Sequence, residues 1–443
     1  MDRRTRLTVA GVAAVLLLGA AACSSGSDGG GSGAEGDAQS ITFLTHWGPE
    51  QVGMLEDAAA AYTADNPDVT VTIQAVPFGN LLSTLRTQGS SPDGPTIAGI
   101  YDAWLPELVR DGLAAQAPAA VAEEVQAEWP QNVVGAASQD GAVYGIPNEV
   151  DLYQLNYNRA LFEEAGVAEP PSDWAGVVDA AEKITQTADD RQGIGFITNW
   201  NSGATHPFLS LLASNGGSFL TEDGTAAALD SPEALETAEF YQDLVDAGLT
   251  DPSMSSANAN TTGPYLDNFV NGKTGMIIMA NWWEGALRDA MGDDFANVGT
   301  APIPVGPSGT ESSSISYSWM TMVNGNAEDS VQEAAWDFLT WLNGPDSGED
   351  GSSAMADILL SMGILPSRTT DVEANAEELS SEFLASYVAS LDTATPFPTV
   401  LGGAAAADAL QRQVEALLNG QKDAEQAMAD AVADVDSALS SAQ

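Results

Sequence analysis

Between Ile41 and Val109, short apolar strands alternate with amphipathic helices, and a chain written this way closes into an α/β fold. I-T-F-L-T at Ile41–Thr45 reads as a strand that ends at His46-Trp47-Gly48-Pro49. Val52, Leu55, Ala59 and Tyr62 follow at helical spacing, and Asn66-Pro67 stops that helix. From Val69 to Val76 the residues alternate, with Val71, Ile73 and Ala75 on one face, as in a half-buried strand. Leu81, Leu82 and Leu85 open a further helix, Thr96–Ile100 reads as a strand, and Asp102–Val109 turns helical again. This order predicts a parallel sheet with helices on both faces.

Further along, Ala142–Tyr157 is apolar and punctuated by turns. Trp174–Thr185 reads as a helix, Ile194–Thr198 as a strand, Phe208–Ala213 as a helix and Met276–Met279 as a buried strand. Ser231 is placed to cap a long helix reaching Ala247, with Pro232 at its first position. Ala374–Ala442 is alanine-rich and helical in pattern, broken at Pro396 and Pro398. The chain has 443 residues. That exceeds the roughly 250–300 residues at which one core stops growing, so two lobes are expected.

The first 22 residues read as an export signal: M-D-R-R-T-R, then an apolar run from Leu7 to Ala22. The run is shorter than the roughly 20 residues needed to span a bilayer. Ala20-Ala21-Ala22 before Cys23 resembles a bacterial lipobox, with Ala20 where relatives carry leucine. Cys23 is the single cysteine, so no intramolecular disulfide is open to it. A Gly/Ser-rich tether over residues 23–40 follows, with nothing in it to bury. Lipidation of Cys23 and an anchor on the outer face of the cell membrane are therefore expected. Arg3-Arg4 hints at twin-arginine export, but Arg6 stands where an apolar residue belongs, which favours general secretion.

Acidic side chains number 63 and basic ones 13, for a formal net charge of -50. Lysine occurs only at Lys183, Lys273 and Lys422. No basic surface can be assembled from so few cations, which excludes nucleic acid as a partner and polybasic docking on anionic lipid. His46 and His206 are isolated, and no Cys/His metal spacing, phosphate-cradling glycine loop or nucleophile elbow occurs. Neither a metal nor a cofactor is expected.

A set of phrases, in order, resembles the extracellular solute-binding proteins of ABC importers, in the sugar-binding family related to maltose-binding proteins. They are G-A-V-Y-G-I-P (Gly141–Pro147), L-N-Y-N-R-A-L-F-E-E-A-G-V (Leu155–Val167), P-P-S-D-W (Pro170–Trp174) and F-V-N-G-K-T-G-M (Phe269–Met276). A-P-I-P-V-G (Ala301–Gly306), A-A-W-D-F-L-T-W-L (Ala334–Leu342) and M-G-I-L-P-S-R (Met362–Arg368) complete it. The chain departs from relatives at Pro95-Thr96-Ile97, where they carry Pro-Asp, and at Ala280-Asn281, where Gly-Pro or Gly-Gly is common.

The resemblance implies a two-lobed α/β fold of the periplasmic-binding-protein kind with a ligand cleft between the lobes. It implies crossings near Asn148–Gln154, Pro307–Ser316 and Ile364–Arg368. The N-terminal lobe is then residues 41–148 plus 317–365, and the C-terminal lobe residues 149–316 plus 366–443. It further implies a monomer that hands its ligand to membrane permease subunits.

A neutral sugar presents hydroxyls that need directional partners and C–H faces that pack on aromatic rings. The resemblance places such contacts at His46, Trp47 and Glu50, at Tyr101, Asp102 and Trp104, and at Asp151 with Glu149 and Tyr153 nearby. It continues them at Asn199, Trp200 and Asn201, at Trp282, Trp283 and Glu284, and in Ser316–Trp319 at Tyr317 and Trp319. Asp102 reads equally as a helix cap and Trp104 equally as core packing. Alternation should send one of Trp282 and Trp283 inward, and Trp282 is favoured for stacking on ligand. Trp129, Trp174, Trp336 and Trp341 read as core or cap residues.

The reading that follows is a non-enzymatic receptor for a mono- or oligosaccharide. The same acids and rings would also suit a cationic or zwitterionic solute, such as a polyamine or quaternary amine. An exported glycoside hydrolase is the remaining alternative; with 63 acids in the chain, a carboxylate pair is weak support for it.

Overall fold

The computed structural model describes residues 38–200, 203–257 and 263–443. The signal segment 1–22, Cys23, most of the 23–40 tether and Asn201 lie outside the described residues. Strands β1 (Gln39–Thr45), β2 (Val69–Ala75) and β3 (Ile97–Tyr101) come first. The two-residue strands β4 (Ser138–Gln139) and β5 (Ala142–Val143) pair with each other. They lead into the long β6 (Ile146–Asn158), followed by β7 (Gln192–Gly195), β8 (Thr274–Ala280) and β9 (Val298–Ala301). Then come β10 (Ile315–Val323), β11 (Leu365–Pro366) and β12 (Thr395–Pro396).

The main sheet runs β2-β1-β3-β10-β6-β8-β7. β1 lies parallel to β2 and β3, and β7 parallel to β8. β10 is antiparallel to β3 and to β6, and β6 is antiparallel to β8 and β9. The sheet is therefore mixed, which corrects the all-parallel expectation. The cause is topological: after its excursion through β6–β9 the chain returns as β10 between β3 and β6, running against both.

β6 replaces the turn-punctuated stretch read from the sequence with one continuous strand. Its first half pairs with β10, and Glu149 and Val150 also meet β11. From Tyr153 onward it pairs with β8, and from Leu155 with β9 on the other edge. Two half-sheets thus share one strand.

Both halves are covered on both faces. In the first, β1 sends Ile41 and Phe43 into a core with Leu55, Trp336 and Leu339, and Leu44 into another with Leu81, Ile100 and Met320. In the second, β8 sends Met276 and Ile278 toward Phe208 and Tyr241, and Ile277 and Met279 toward Phe269 and Tyr387. The period-2 alternation of a strand is what allows each to serve two cores.

Several local expectations hold. Ser231 Oγ accepts from Ala234 N at 3.2 Å and caps the helix Pro232–Asp246. Trp129, Trp174 and Trp336 are buried, and Trp341 packs on Tyr62. The C-terminal stretch forms the helices Gly403–Leu418 and Ala424–Ala442, with the short β12 at the proline break.

Just after β8, the fully buried Asn281 accepts from Leu152 N (3.0 Å) and donates to Asp151 Oδ1 (2.8 Å) and to Gly363 O (3.2 Å). One amide thus ties β6, the end of β8 and the approach to β11. Asn281→Ala strands the Leu152 N–H and the Gly363 carbonyl. It should lower unfolding free energy by about 2–4 kcal/mol, read from the urea midpoint. A change under about 0.5 kcal/mol contradicts this role.

Candidate functional site

A cleft of about 860 Å³ opens over the middle of the sheet. Its floor is one face of three adjacent strands. On β6, Glu149, Asp151 and Tyr153 recur at every second residue and so point the same way. On β10, Tyr317 lies opposite Asp151 and Trp319 opposite Glu149; on β3, Tyr101 lies opposite Trp319. Between them on β6, Val150 and Leu152 face the cores behind.

The walls come from loops at strand ends. His46 and Trp47 follow β1, and Glu50 opens the helix Pro49–Asp65. Trp282 and Glu284 follow β8, and Trp200 stands against Trp282 edge-on at 5.8 Å. Trp282 packs against three separate hydrophobic cores, and its Nε1 donates to Tyr317 Oη at 2.7 Å. That bond fixes the indole while leaving it only half-buried at the cleft.

Twelve of the expected positions therefore share one cleft: His46, Trp47, Glu50, Tyr101, Glu149, Asp151, Tyr153, Trp200, Trp282, Glu284, Tyr317 and Trp319. Four do not. Trp283 is 2% exposed and packs on Tyr265 within the core. Asp102 is neither a cap nor a cleft group; from a 3-10 turn after β3 its Oδ2 accepts from Ser318 N at 2.8 Å. It extends β3 by one acceptor where the strand's own carbonyls have run out. Trp104 sits beneath the cleft against Trp319, with ring centroids 5.6 Å apart. Asn199 is exposed and lies outside the cleft, its N–H donating to Glu415. Trp282 and Trp283 do face different ways, but because they sit on a 3-10 turn rather than on a strand.

The structure adds lining residues that the sequence reading did not commit to. Phe78, at the start of its helix, packs on His46 and Trp319. His206 bridges Tyr101 Oη (3.2 Å) and Tyr153 Oη (3.1 Å). Arg288 and Met362 also line the cleft, and no local spacing announces them.

Burial dominates the electrostatics. It drops His46 to about 4 and His206 to about 3, so both imidazoles are neutral at pH 7. It pushes Asp102 up to about 8, with the Ser318 and Ala103 N–H groups opposing and Asp151 adding to the rise. It pushes Asp151 up to about 7, opposed by hydrogen bonds from Glu149 and Asn281. Glu149 rises further, through burial and then the charge of Asp151. Glu284 is raised by burial and partly restored by its ion pair with Arg288. Among the described residues, no group of three or more His, Cys, Asp or Glu is placed to hold a metal ion.

Asp102 sets a pH dependence. Its folded form holds a proton that the unfolded carboxyl, titrating near 3.8, has lost. The stabilisation is complete below about pH 4 and is lost as pH rises toward 8. The urea midpoint should fall between pH 5 and pH 8, and Asp102→Asn should flatten that slope. An unchanged slope in the variant contradicts the assignment.

A family profile described as bacterial extracellular solute-binding protein matches residues 47–349. A putative binding protein of Brucella abortus (strain 2308) is 26% identical over 391 residues, covering 87% of this chain and 89% of its own. An arabinooligosaccharide-binding protein of Halalkalibacterium halodurans is 25% identical, covering 69% of this chain and 68% of its own. The GacH receptor of Streptomyces glaucescens, solved unliganded and with acarbose, superposes with a TM-score of 0.78 at 20% identity. That match covers 91% of this chain and 99% of the receptor. The α/β architecture is the two-lobed fold of these receptors, and the chain belongs to the bacterial extracellular solute-binding protein family.

Proposed function

We propose that the protein captures a carbohydrate, a mono- or oligosaccharide, in its cleft and delivers it to the permease of an ABC transporter. The observation that carries this is the composition of the cleft floor and walls: ring faces of Trp282, Trp319 and Tyr317 beside the carboxyls of Glu149 and Asp151. Ring faces suit the C–H surfaces of a sugar, and paired acceptors and donors suit its hydroxyls. The arabinooligosaccharide-binding relative and the acarbose complex of the GacH receptor support the same ligand class.

In this reading the lobes are residues 41–148 plus 317–365 and 149–316 plus 366–443. They close by a hinge about crossings near Asn148–Gln154, Pro307–Ser316 and Ile364–Arg368. The ligand is bound and released with no bond made or broken. The protein acts as a monomer, held at the outer face of the membrane by a lipid on Cys23. Among the described residues, no helix is long and apolar enough to cross a membrane.

A thermal-shift screen of sugars, polyols and amines should find its largest stabilisation with a sugar, since a ligand bound only by the folded state raises apparent stability. With that sugar, Trp282→Ala should weaken binding in calorimetry by at least about 0.5–1.5 kcal/mol. Unchanged affinity removes Trp282 from the site. Cys23→Ala should release the protein from membranes without changing ligand affinity; retention in the membrane fraction defeats the lipid anchor.

A further inference from the structure

Glu149 and Asp151 are 5% and 1% exposed, yet both line the cleft from adjacent same-face positions of β6, each acting on the other's charge. Two buried carboxyls in contact cannot both carry charge without a cation between them, so the pair holds one proton. Asp151 has a protein donor in Asn281. Glu149 has none: among the described residues, no N–H or hydroxyl donates to its carboxyl, which meets only the other acid. A buried acid facing a ligand cleft with no donor of its own is an acceptor waiting for one.

No cation of the protein supplies it. Behind the pair stands Asp102, a third acid. Tyr153 on β6, Tyr317 on β10 and Tyr101 on β3 are held neutral by burial, as is the His206 ring on the helix Thr205–Ser214. Across the cleft, Arg288 is paired with Glu284 and lies over the Phe295 ring at 4.6 Å. The rim adds the exposed acids Glu50, Asp289 and Glu378. Within the same floor, Tyr317 and Trp319 lie directly across the strand from the pair and offer ring faces beside it.

The geometry points to a ligand that is a sugar bearing a basic nitrogen, its ammonium group seated between the Glu149 and Asp151 carboxylates. This rests on the carbohydrate reading above and narrows it to amino sugars. When the ammonium enters, the Glu149 O–H bond breaks and its proton leaves to solvent. Two N–H···O contacts take its place. One proton is released for each ammonium bound, and the cation remains protonated. Because the bound form holds fewer protons at the pair, affinity rises with pH while the pair would otherwise be protonated.

The test is calorimetry on matched probes: glucose against glucosamine, and cellobiose against the β-1,4-linked glucosamine dimer. It is run at pH 6.5 in two buffers of different ionisation enthalpy, neither a primary amine. The expected results are at least tenfold tighter binding of the amino member and release of close to one proton per site. The preference should grow from pH 6 to pH 7.5 and collapse toward parity in Glu149→Gln, with the proton release abolished. Equal or tighter binding of the neutral member, or amine binding without proton release, overturns the inference and leaves the carbohydrate reading standing. Failure of every sugar in the panel, with stabilisation only by non-sugar solutes, overturns both.

Discussion

The hydrogen-bond ladders of β6 hold the rest of the molecule in register. One strand pairs with β10 and β11 along its first half and with β8 and β9 along its second. Tyr317 and Trp319 sit on β10, which bonds directly to β6, while Tyr101 on β3 and His46 after β1 lie one and two strands further out in the same sheet. The cleft therefore opens over the place where the two half-sheets meet, and its floor is backbone-supported strand rather than loop. Asn281 adds the side-chain lock at that junction.

Burial at this junction has an electrostatic consequence. Asp102, Glu149 and Asp151 stand together with no lysine or arginine of the chain acting on any of them, and each is displaced toward its neutral form. The scarcity of lysine and arginine, which in the sequence excludes polyanionic partners, means in the structure that protons and hydrogen bonds do the work of counter-ions. Only Arg288 approaches the cleft from among the bases lining it, and it is already engaged with Glu284.

Much of this was legible in the sequence, and the failures have identifiable causes. Strand β1, the Ser231 cap and the convergence of His46, Asp151, Trp282 and Trp319 depend on local periodicity or on phrases carried in family order. Asp102 could not be placed from its neighbours, because its partner Ser318 lies on a strand far along the chain that returns antiparallel. The same return turned the expected parallel sheet into a mixed one. Trp282 and Trp283 point apart as expected, with Trp283 inward, although a 3-10 turn and not strand alternation sets their directions after β8. Glu149 was named beside Asp151 and Tyr153, but the every-second-residue relation that puts all three on one face shows only once β6 is read as a single uninterrupted strand.

The alternation on β6 and β10 carries one more implication. Cleft-facing and core-facing side chains occupy alternate letters of the same two strands, with Glu149, Asp151 and Tyr153 on one register of β6 and Val150 and Leu152 on the other. Substitutions at Glu149 or Asp151 reshape the polar surface of the cleft without removing a side chain from any hydrophobic layer, whereas Tyr153 and Tyr317 belong to cleft and core at once. The two roles are thus interleaved in sequence and separable at the carboxyl positions, where a scaffold of this kind can change the chemistry of its cleft without rebuilding its interior.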